Sequence, residues 1–264
     1  MIDSRAAIAP GAKLGANVTV APFAVIDNDV VIGDNCSIGP HAHITGHTTI
    51  GDNTVIHAGA NIGDAPQDLS YRGQLSYTEI GKDCIIREYV TVHRGAEEGS
   101  KTVIGDHVML MAFSHVGHDT IIARDVVVAN ATLLAGHVTV GEHAFISANV
   151  MIHQFVRIGR LAMVGGGNAI TQDVPPFCLL QWDQIQGPNI VGLRRSGMDE
   201  TTRNTLRAAI KTYFFDGLAR QNAVAKIQEN LQVLPEVQEV IDFIMSTQRG
   251  IIPGRDTKPH HREN

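Results

Sequence analysis

The chain has 264 residues, enough to bury a substantial core in one domain or in one large and one small domain. Aromatic residues make up only 5% of the chain while glycine occurs 26 times, which suits a narrow, repetitive β structure better than a helical bundle. The formal net charge of -6 excludes a general attraction to nucleic acid or to an anionic membrane, so an anionic partner would need a local basic patch.

The three cysteines, Cys36, Cys84 and Cys178, are widely spaced and form no CxxC pair. This spacing argues against a disulfide framework or a cysteine metal site and favours small buried thiols. The N-terminal segment has no long apolar region, and no stretch reaches the roughly 18 apolar residues of a membrane span. We therefore expect a cytoplasmic protein without a membrane segment.

A six-residue repeat organises most of the chain. Every sixth residue is Ile, Leu or Val, with two interruptions, and the series comprises Ile2, Ile8, Leu14, Val20, Ile26, Ile32, Ile38, Ile44, Ile50, Ile56, Ile62, Ile80, Ile86, Val92, Ile104, Leu110, Val116, Ile122, Val128, Leu134, Val140, Ile146, Ile152, Ile158, Val164 and Ile170. A period of two predicts ordinary strands and a period of 3.6 predicts helices. A strict period of six instead indicates a solenoid in which three hexads form one triangular coil.

The repeat resembles that of the hexapeptide acyltransferases, which reads aliphatic-Gly-x-x-small-x. This resemblance, and not the period, implies a left-handed parallel β-helix, an exception to the usual right-handed crossover. We predict the β-helix over residues 1–175, followed by a connecting segment over 176–196. Two segments that break the count, near 68–79 and 97–103, are expected to be extruded loops, and loops on a rigid scaffold often carry function.

A small α-helical C-terminal domain is predicted over residues 197–250. Its first helix is expected to be capped by Asp199 or Thr201. The apolar face of that helix consists of Leu206, Ile210, Tyr213 and Phe214. The segments "NAVAKIQENL" and "PEVQEVIDFIMSTQRG" predict two further helices, and the tail 251–264 has no core pattern, so we expect it to be disordered.

The uninterrupted repeat from 104 to 174 brings several histidines together. Residues eighteen apart should lie in one column on coils about 4.8 Å apart. This places His118 beside Gly136, and Asp119 beside His137. One edge of the prism therefore carries His118, Asp119, His137, His153 and Gln154.

Two chemistries fit this cluster. In the first, neutral His118 is a general base, Asp119 or a nearby carbonyl orients its ring, and an N–H at Gly136 stabilises an oxyanion. This arrangement suits acyl transfer from a thioester to a hydroxyl without a covalent intermediate. In the second, His115, His118 and His137 hold Zn²⁺, as in hexapeptide-repeat carbonic anhydrases. Because His115 and His118 are only three residues apart, we favour the first and predict no metal and no cofactor.

More specific motifs follow one another along the chain: "HVGHD", "NATLLAGH", "HQF" and "DVPPF", together with "QDLSY", "VTVHRG" and "NIVGLRRSG". With them the chain resembles the UDP-N-acetylglucosamine O-acyltransferases of lipid A synthesis, up to about residue 250. The resemblance implies transfer of a (3R)-3-hydroxyacyl chain from acyl carrier protein to the glucosamine 3-hydroxyl. It also implies a homotrimer with sites between subunits, and flat prism faces suit packing around one axis.

The resemblance assigns roles to individual positions. It makes His118 the general base, Asp119 its orienting partner and Gly136 the residue whose N–H faces the thioester oxygen. The implied substrate-binding residues are Gln67 and Asp68 for the sugar, His115, His137, His153 and Gln154 around the site, and Asn189 and Arg195 for the nucleotide.

The residue that limits acyl length in this family corresponds to Gly166, which leaves room for a chain of about fourteen carbons. Three positions depart from the family pattern: Ser70 replaces a basic residue, Val191 an acidic one and Ser196 an arginine. Fewer charged groups near the phosphates weaken the expected grip on the nucleotide. An acceptor that carries an amino group on its sugar therefore remains an alternative.

Two further readings stay open. A related N-acyltransferase of the same pathway normally carries an extra N-terminal uridine-binding domain, whereas the hexads here begin at Ile2. A non-enzymatic β-helix scaffold would need neither the histidine cluster nor the extruded loops. For the acidic carrier protein, docking is expected on basic residues, namely Arg157, Arg160, Arg194 and Arg195.

Overall fold

A prism of three parallel β-sheets forms the body of the protein in the computed structural model, which describes residues 1–255. The chain visits sheet I, sheet II and sheet III in turn, so each coil contributes one strand to each sheet. Along sheet I, His115 pairs with Leu133 and Leu133 with Met151, which are steps of eighteen residues. The six-residue repeat predicted this triangular coil.

The strands are short, and each sheet is a stack of them. Sheet I consists of Ala7–Ile8, Val25–Ile26, His43–Ile44, Asn61–Asp64, Thr91–His93, His115–Val116, Leu133–Leu134, Met151–Ile152 and Ala169–Ile170. Sheet II consists of Lys13–Leu14, Val31–Ile32, His47–Ile50, Tyr77–Ile80, Lys101–Ile104, Ile121–Ile122, Thr139–Val140 and Arg157–Ile158. Sheet III consists of Thr19–Val20, Ser37–Ile38, Val55–Ile56, Ile85–Ile86, Met109–Leu110, Val127–Val128, Phe145–Ile146, Met163–Val164, Cys178–Gln181 and Gln184–Pro188.

The aliphatic residue of each hexad points into the prism. From Val20 to Ile170 these side chains are at most 3% exposed, and burial of each stabilises the fold by about 2 kcal/mol. The residues two places earlier are small because they lie beside these large side chains in the same narrow interior, as Ala24 and Ala42 do. Cys36, Cys84 and Cys178 are free and buried, as the sequence predicted.

Two loops leave the prism, with bounds that differ from the predicted ones. The first covers residues 65–76 and the second 94–100, because Tyr77–Ile80 and Lys101–Ile104 are already strands of sheet II. The predicted ranges 68–79 and 97–103 therefore ran into regular structure. The broken hexad count located the loops but not their ends, since Tyr77 and Lys101 extend their strands beyond the two residues of a normal coil.

The segment 176–196 is more structured than a simple connection. Cys178–Gln181 extends sheet III, and Gln184–Pro188 returns antiparallel to it. The two residues between them, Trp182 and Asp183, both have positive φ, which is typical of a tight hairpin turn. A short helix, α1 (Ile190–Arg195), follows.

Three helices complete the chain: α2 (Glu200–Phe215), α3 (Arg220–Asn230) and α4 (Pro235–Met245). Asp199 caps α2 by accepting the Thr202 N–H at 2.9 Å, as one of the two predicted caps. The apolar faces bury Leu206 and Ile210 of α2. Among residues 1–255, no helix combines the length and apolar character needed to cross a bilayer.

The predicted disordered tail begins too early. Ile251 forms a bridge with Asp173, and the Arg255 N–H donates to the Ile185 carbonyl at 3.0 Å, so ordered structure reaches at least residue 255. These contacts pair backbone groups at the strand edges next to the last coil. The sequence of the tail has no apolar periodicity, so it could not indicate them. The rest of that predicted tail lies outside the described residues.

Candidate active site

The histidines gather where sheet I turns into sheet II, at residues 117–120, 135–138 and 153–156, which we call the histidine corner. The register of eighteen residues puts Gly136 directly beside His118. A Cβ on Gly136 would collide with Nε2 of His118, so only glycine leaves room for this imidazole. The fold thus seats a histidine ring against the backbone of the next coil.

His118 and Asp119 form a buried pair. Their side chains are 7% and 10% exposed, and Nδ1 of His118 lies 2.8 Å from Oδ2 of Asp119. The Ala96 amide also donates to Oδ2, at 3.0 Å. Burial works to raise the pKa of Asp119, but hydrogen bonds from Ser100, His118 and Ala96 hold that pKa below its ordinary value. An ionised Asp119 requires the proton of neutral His118 on Nδ1, which leaves a lone pair on Nε2.

The Nε2 side of His118 faces the first loop. Oδ2 of Asp68 lies 3.6 Å from Nε2. The Ser70 hydroxyl and amide donate to Oδ1 of Asp68, at 2.6 and 2.7 Å, and lower its pKa. A negatively charged acceptor therefore lies next to the free ring nitrogen. A bound molecule can donate one hydroxyl to Nε2 and a neighbouring group to Asp68.

A backbone donor completes this part of the site. Gly136 is buried, yet its N–H donates to no acceptor within residues 1–255. Buried N–H groups are nearly always paired, so an unpaired one beside a histidine has chemical meaning. It is available to stabilise a negatively charged oxygen on a ligand.

A second pair of imidazoles lies one strand before His118. Nδ1 of His115 is hydrogen-bonded to the Thr91 hydroxyl at 2.7 Å, and the ring of His93 meets that of His115 edge-on at 4.9 Å. Burial, with His93 and His118 nearby, lowers the pKa of His115 to about 4. Burial also lowers the pKa of His93. Both rings are therefore neutral at pH 7 and act as polar, uncharged walls.

Sequence reasoning missed His93 and Thr91. The spacing from Val92 to Ile104 is broken by the second loop, so counting in eighteens does not connect His93 to His115. A usable signal was present in "VTVHRG", where a histidine directly follows an aliphatic core position of sheet I.

The next coils continue the corner. The His137 ring stacks on that of Phe155 at 4.6 Å and meets His118 edge-on at 5.0 Å. His153 and Gln154 are exposed, and an Arg249 Nη2 donates to Nδ1 of His153 at 3.1 Å. His137 and Phe155 also line a cavity of about 240 Å³ that reaches the C-terminal segment at Ser246 and Gln248. The corner is therefore buried at His118 and opens towards His153.

A metal is poorly accommodated here. Within the described chain, the group with compatible ligand spacing is His118, Asp119 and His137, which differs from the predicted alternative by replacing His115 with Asp119. Nδ1 of His115 is occupied by Thr91. Because Oδ2 of Asp119 already accepts from Ala96 and His118, a cation there would have to displace existing bonds.

Other predicted residues lie away from His118 in one protomer. Gln67 is the exception, because it directly precedes Asp68 in the first loop, where it is exposed. Asn189 and Arg195 line a cavity of about 880 Å³ where sheet II turns into sheet III, and Val191 and Ser196 line the same cavity. Gly166 lies at the remaining corner, where a Cβ would approach the Ala148 carbonyl at 3.0 Å. A single chain does not bring these residues to the histidine corner.

Two of the predicted docking arginines are already engaged. Arg157 pairs with buried Asp173 at 2.9 Å, and Arg160 pairs with Glu239 of α4 at 2.7 Å. Both arginines attach the helical domain to the prism, since Arg157 also donates to the Phe243 carbonyl of α4, and their predicted contact with a carrier protein stays a prediction. Arg194 and Arg195 are exposed at the end of α1.

Comparison with family models agrees with both parts of the chain. The model described as bacterial transferase hexapeptide (six repeats) matches residues 29–64 and 101–136. The model described as Udp N-acetylglucosamine O-acyltransferase, domain 2, matches residues 173–252.

Curated relatives match over most of their length. The acyl-[acyl-carrier-protein]--UDP-N-acetylglucosamine O-acyltransferase of Pseudomonas paraeruginosa is 37% identical over 254 residues, covering 95% of this chain and 98% of that protein. The protein of the same name from Synechocystis is 42% identical over 207 residues, covering 76% and 75%.

Solved structures show the same architecture. A UDP-N-acetylglucosamine acyltransferase from Bacteroides fragilis superposes with a TM-score of 0.92 at 39% identity, covering 96% of this chain and 100% of that one. One from Campylobacter jejuni gives a TM-score of 0.88 at 35% identity, covering 97% and 100%. These matches confirm the left-handed parallel β-helix with a small helical C-terminal part.

Proposed function

The chain belongs to the family of UDP-N-acetylglucosamine O-acyltransferases, and from that membership we propose the roles of its residues in the reaction. The enzyme transfers an acyl chain from acyl carrier protein to UDP-N-acetylglucosamine, in lipid A synthesis. The observation that carries the mechanism is the position of His118, with Nδ1 on Asp119, Nε2 facing Asp68 and its ring packed against Gly136.

In the proposed reaction, His118 acts as general base. The 3-hydroxyl of the glucosamine gives its proton to Nε2 as its oxygen attacks the thioester carbonyl. The Gly136 N–H stabilises the oxyanion of the tetrahedral intermediate. As the carbonyl reforms, the carbon–sulfur bond breaks, and protonated His118 returns the proton to the leaving thiolate. Asp119 stabilises the imidazolium between these two transfers.

The acceptor sugar is proposed to lie against the first loop. Asp68 accepts a hydrogen bond from a sugar group next to the reacting hydroxyl, and Gln67 lies beside it on the open side. The side chains of the histidine corner form the walls of the sugar pocket, and the proposed contacts with the sugar are His115, His137, His153 and Gln154. The neutral state of His115 supports this role, because an uncharged imidazole can bind a hydroxyl without attracting water strongly.

The nucleotide is proposed to bind at Asn189 and Arg195, which share a cavity on another edge of the prism. One protomer cannot present this cavity to its own histidine corner. A homotrimer resolves this, because an edge of one copy then faces a different edge of its neighbour. We propose such a trimer, with the uridine side of each site contributed by the adjacent subunit.

The acyl donor is proposed to be a (3R)-3-hydroxyacyl carrier protein with a long chain. Gly166 is exposed and carries no side chain, which leaves its groove open to a chain of about fourteen carbons. Of the four arginines predicted to dock the acidic carrier protein, Arg194 is exposed at the end of α1 and is not assigned to the nucleotide. Because a carrier protein supplies the chain, we propose that the enzyme works in the cytoplasm.

A 3-amino sugar is a second candidate acceptor, and one observation favours it. Ser70 stands beside Asp68 and only donates hydrogen bonds to it, so the carboxylate keeps its full negative charge towards the acceptor. A protonated amino group would pair with that charge. Val191 and Ser196 line the nucleotide cavity with neutral groups, which removes charge from the opposite end of the substrate.

The test is a transfer assay with purified protein. UDP-N-acetylglucosamine and its 3-amino analogue are each offered with a series of 3-hydroxyacyl carrier proteins from short to long, and products are identified by mass spectrometry. We expect an ester product with a long-chain optimum, and we expect Gly166→Met to shift the optimum to shorter donors. If no donor in the series transfers its acyl chain to either acceptor, the proposal is rejected.

A further inference from the structure

The two extruded loops are joined at their far end by Leu75, whose amide donates to Glu98 and whose carbonyl accepts from Gly99, and nearer the histidine corner by the side chain of Arg94. Its Nη1 donates to the Gly63 carbonyl at 2.8 Å, which ties the guanidinium to a coil of the prism. Its Nε and Nη2 donate to the Tyr71 hydroxyl at 3.2 and 2.8 Å. Arginine at the start of the second loop thus holds a tyrosine of the first loop.

Tyr71 passes this constraint to Asp68. The Tyr71 amide donates to the Asp68 carbonyl at 3.2 Å, and the Tyr71 hydroxyl donates to the Gln74 carbonyl at 3.1 Å. These bonds close residues 68–74 into a compact turn. The turn presents Oδ2 of Asp68 to Nε2 of His118 at 3.6 Å.

The same segment also supports the other side of the imidazole. The Gly95 amide donates to the Tyr77 carbonyl at 3.2 Å, and the Ala96 amide donates to Asp119 at 3.0 Å. Residues 94–96 therefore hold both carboxylates that flank His118, one through Tyr71 and one directly. Such a device keeps a site within the tolerances that catalysis requires.

We propose that Arg94 is a positioning residue, whose clamp on Tyr71 holds the loop 65–76 so that Asp68 meets the acceptor sugar beside His118. This inference rests on the proposed function. The clamp contacts the loop that carries Asp68 and none of the residues proposed for the acyl donor, so we expect it to govern recognition of the sugar and not of the carrier protein. Arg94 acts through Tyr71 and the loop, and the proposal requires no contact between its guanidinium and the substrate.

The test uses Tyr71→Phe, which keeps the ring and removes the hydroxyl that Arg94 binds. We expect KM for the UDP-sugar to rise about tenfold, because hydrogen bonds from a charged donor are lost, while KM for the acyl donor stays unchanged. Arg94→Gln should give the same split. The double variant should raise this KM by less than the product of the two single effects, because both substitutions remove the Arg94–Tyr71 contact.

The matched control is Tyr89→Phe. Tyr89 is 56% exposed and stacks on Phe113 at a different corner, so loss of its hydroxyl should change neither KM. Thermal unfolding of each variant shows whether the fold is retained. Equal increases in both KM values, or no change in KM for the sugar with Tyr71→Phe, would overturn the proposal.

A measurement without substrate separates the clamp from the reaction. Hydrogen exchange of amides 68–75 should be faster in Tyr71→Phe than in the wild type, and unchanged in Tyr89→Phe. Equal protection in the wild type and Tyr71→Phe would contradict the clamp even if transfer is active. If the wild type transfers no acyl chain but its amides 68–75 still exchange more slowly than those of Tyr71→Phe, the proposed function is rejected and the clamp is retained.

Discussion

Two corners of the prism use the same backbone for opposite purposes. Where sheet II turns into sheet III, in a region we call the acidic corner, the amide at one place of the hexad is capped in some coils by an aspartate from the next coil. Ala16 N–H donates to Asp34 at 2.7 Å and Asp34 N–H to Asp52 at 2.7 Å. At the histidine corner the equivalent places are His118, Gly136 and Gln154, and the Gly136 N–H has no acceptor within residues 1–255.

The comparison shows how a repetitive fold gains a reactive place. A cap satisfies the turn amide and contributes stability, whereas the uncapped amide of Gly136 keeps its hydrogen-bonding capacity for a ligand. Asp119 and His137 have φ of 58° and 60°, as residues at this place do in the turns of both corners, for example Asn35 and Asp125. Within residues 1–255 the Arg124 and Glu142 amides of the acidic corner also lack an acceptor, so the histidine corner differs in that its uncapped amide belongs to a glycine against the His118 ring.

The largest expected effect comes from removing one histidine at each of the two corners and comparing the results. His118→Ala should lower kcat about 10³-fold because it removes the general base. His107→Ala, at the exposed acidic corner, should leave kcat unchanged. Steady-state rates with equal folded fractions, checked by circular dichroism, measure both. Activity of His118→Ala near that of the wild type would refute the mechanism.

Asp119→Asn tests the orienting half of the pair. The amide no longer stabilises the imidazolium and can donate to Nδ1, which favours the wrong tautomer, so kcat should fall about 10²-fold. KM for the carrier protein should not change. If the maximal kcat in the pH–rate profile of the variant equals that of the wild type, Asp119 has only a structural role.

Asp34→Ala removes a cap at the acidic corner. We expect the free energy of unfolding to fall by about 1 kcal/mol or less, because the Ala16 amide loses an exposed hydrogen bond. Urea unfolding measures the change, and kcat serves as the readout that should not move. A loss of activity without loss of stability would mean that the first coils of the acidic corner, several coils away from the cavity of Asn189 and Arg195, also serve the reaction.

His115 makes stability depend on pH. Its folded pKa of about 4 lies below the unfolded value of 6.5, so the unfolded chain binds the proton first as pH falls. The contribution is fully present above pH 6.5 and is lost between pH 6.5 and 4, with roughly 0.7 kcal/mol lost from pH 7 to 6. His115→Gln should flatten the dependence by this amount, and His107→Gln should not.

The sequence predicted what depends on regular spacing. The hexad gives the three sheets, and steps of eighteen residues place His118 beside Gly136 without any structural information. It could not give the contacts of Ala96 and Thr91, because the loops break the count between them and the histidines. The hairpin was missed because its turn is Trp182–Asp183, and tryptophan rarely adopts positive φ. The pairing of Arg160 with Glu239 depends on where the helices dock, which no repeat specifies.

The most direct test of the free amide is to give it the cap found at the other corner. In Gln154→Asp, the new carboxylate should accept the Gly136 N–H as Asp34 accepts that of Ala16. We predict that kcat falls about 10²-fold beyond any loss in Gln154→Ala, while the free energy of unfolding stays equal or rises. If Gln154→Asp and Gln154→Ala have the same kcat while Gly136 is capped, the amide does not stabilise the reaction and the account fails.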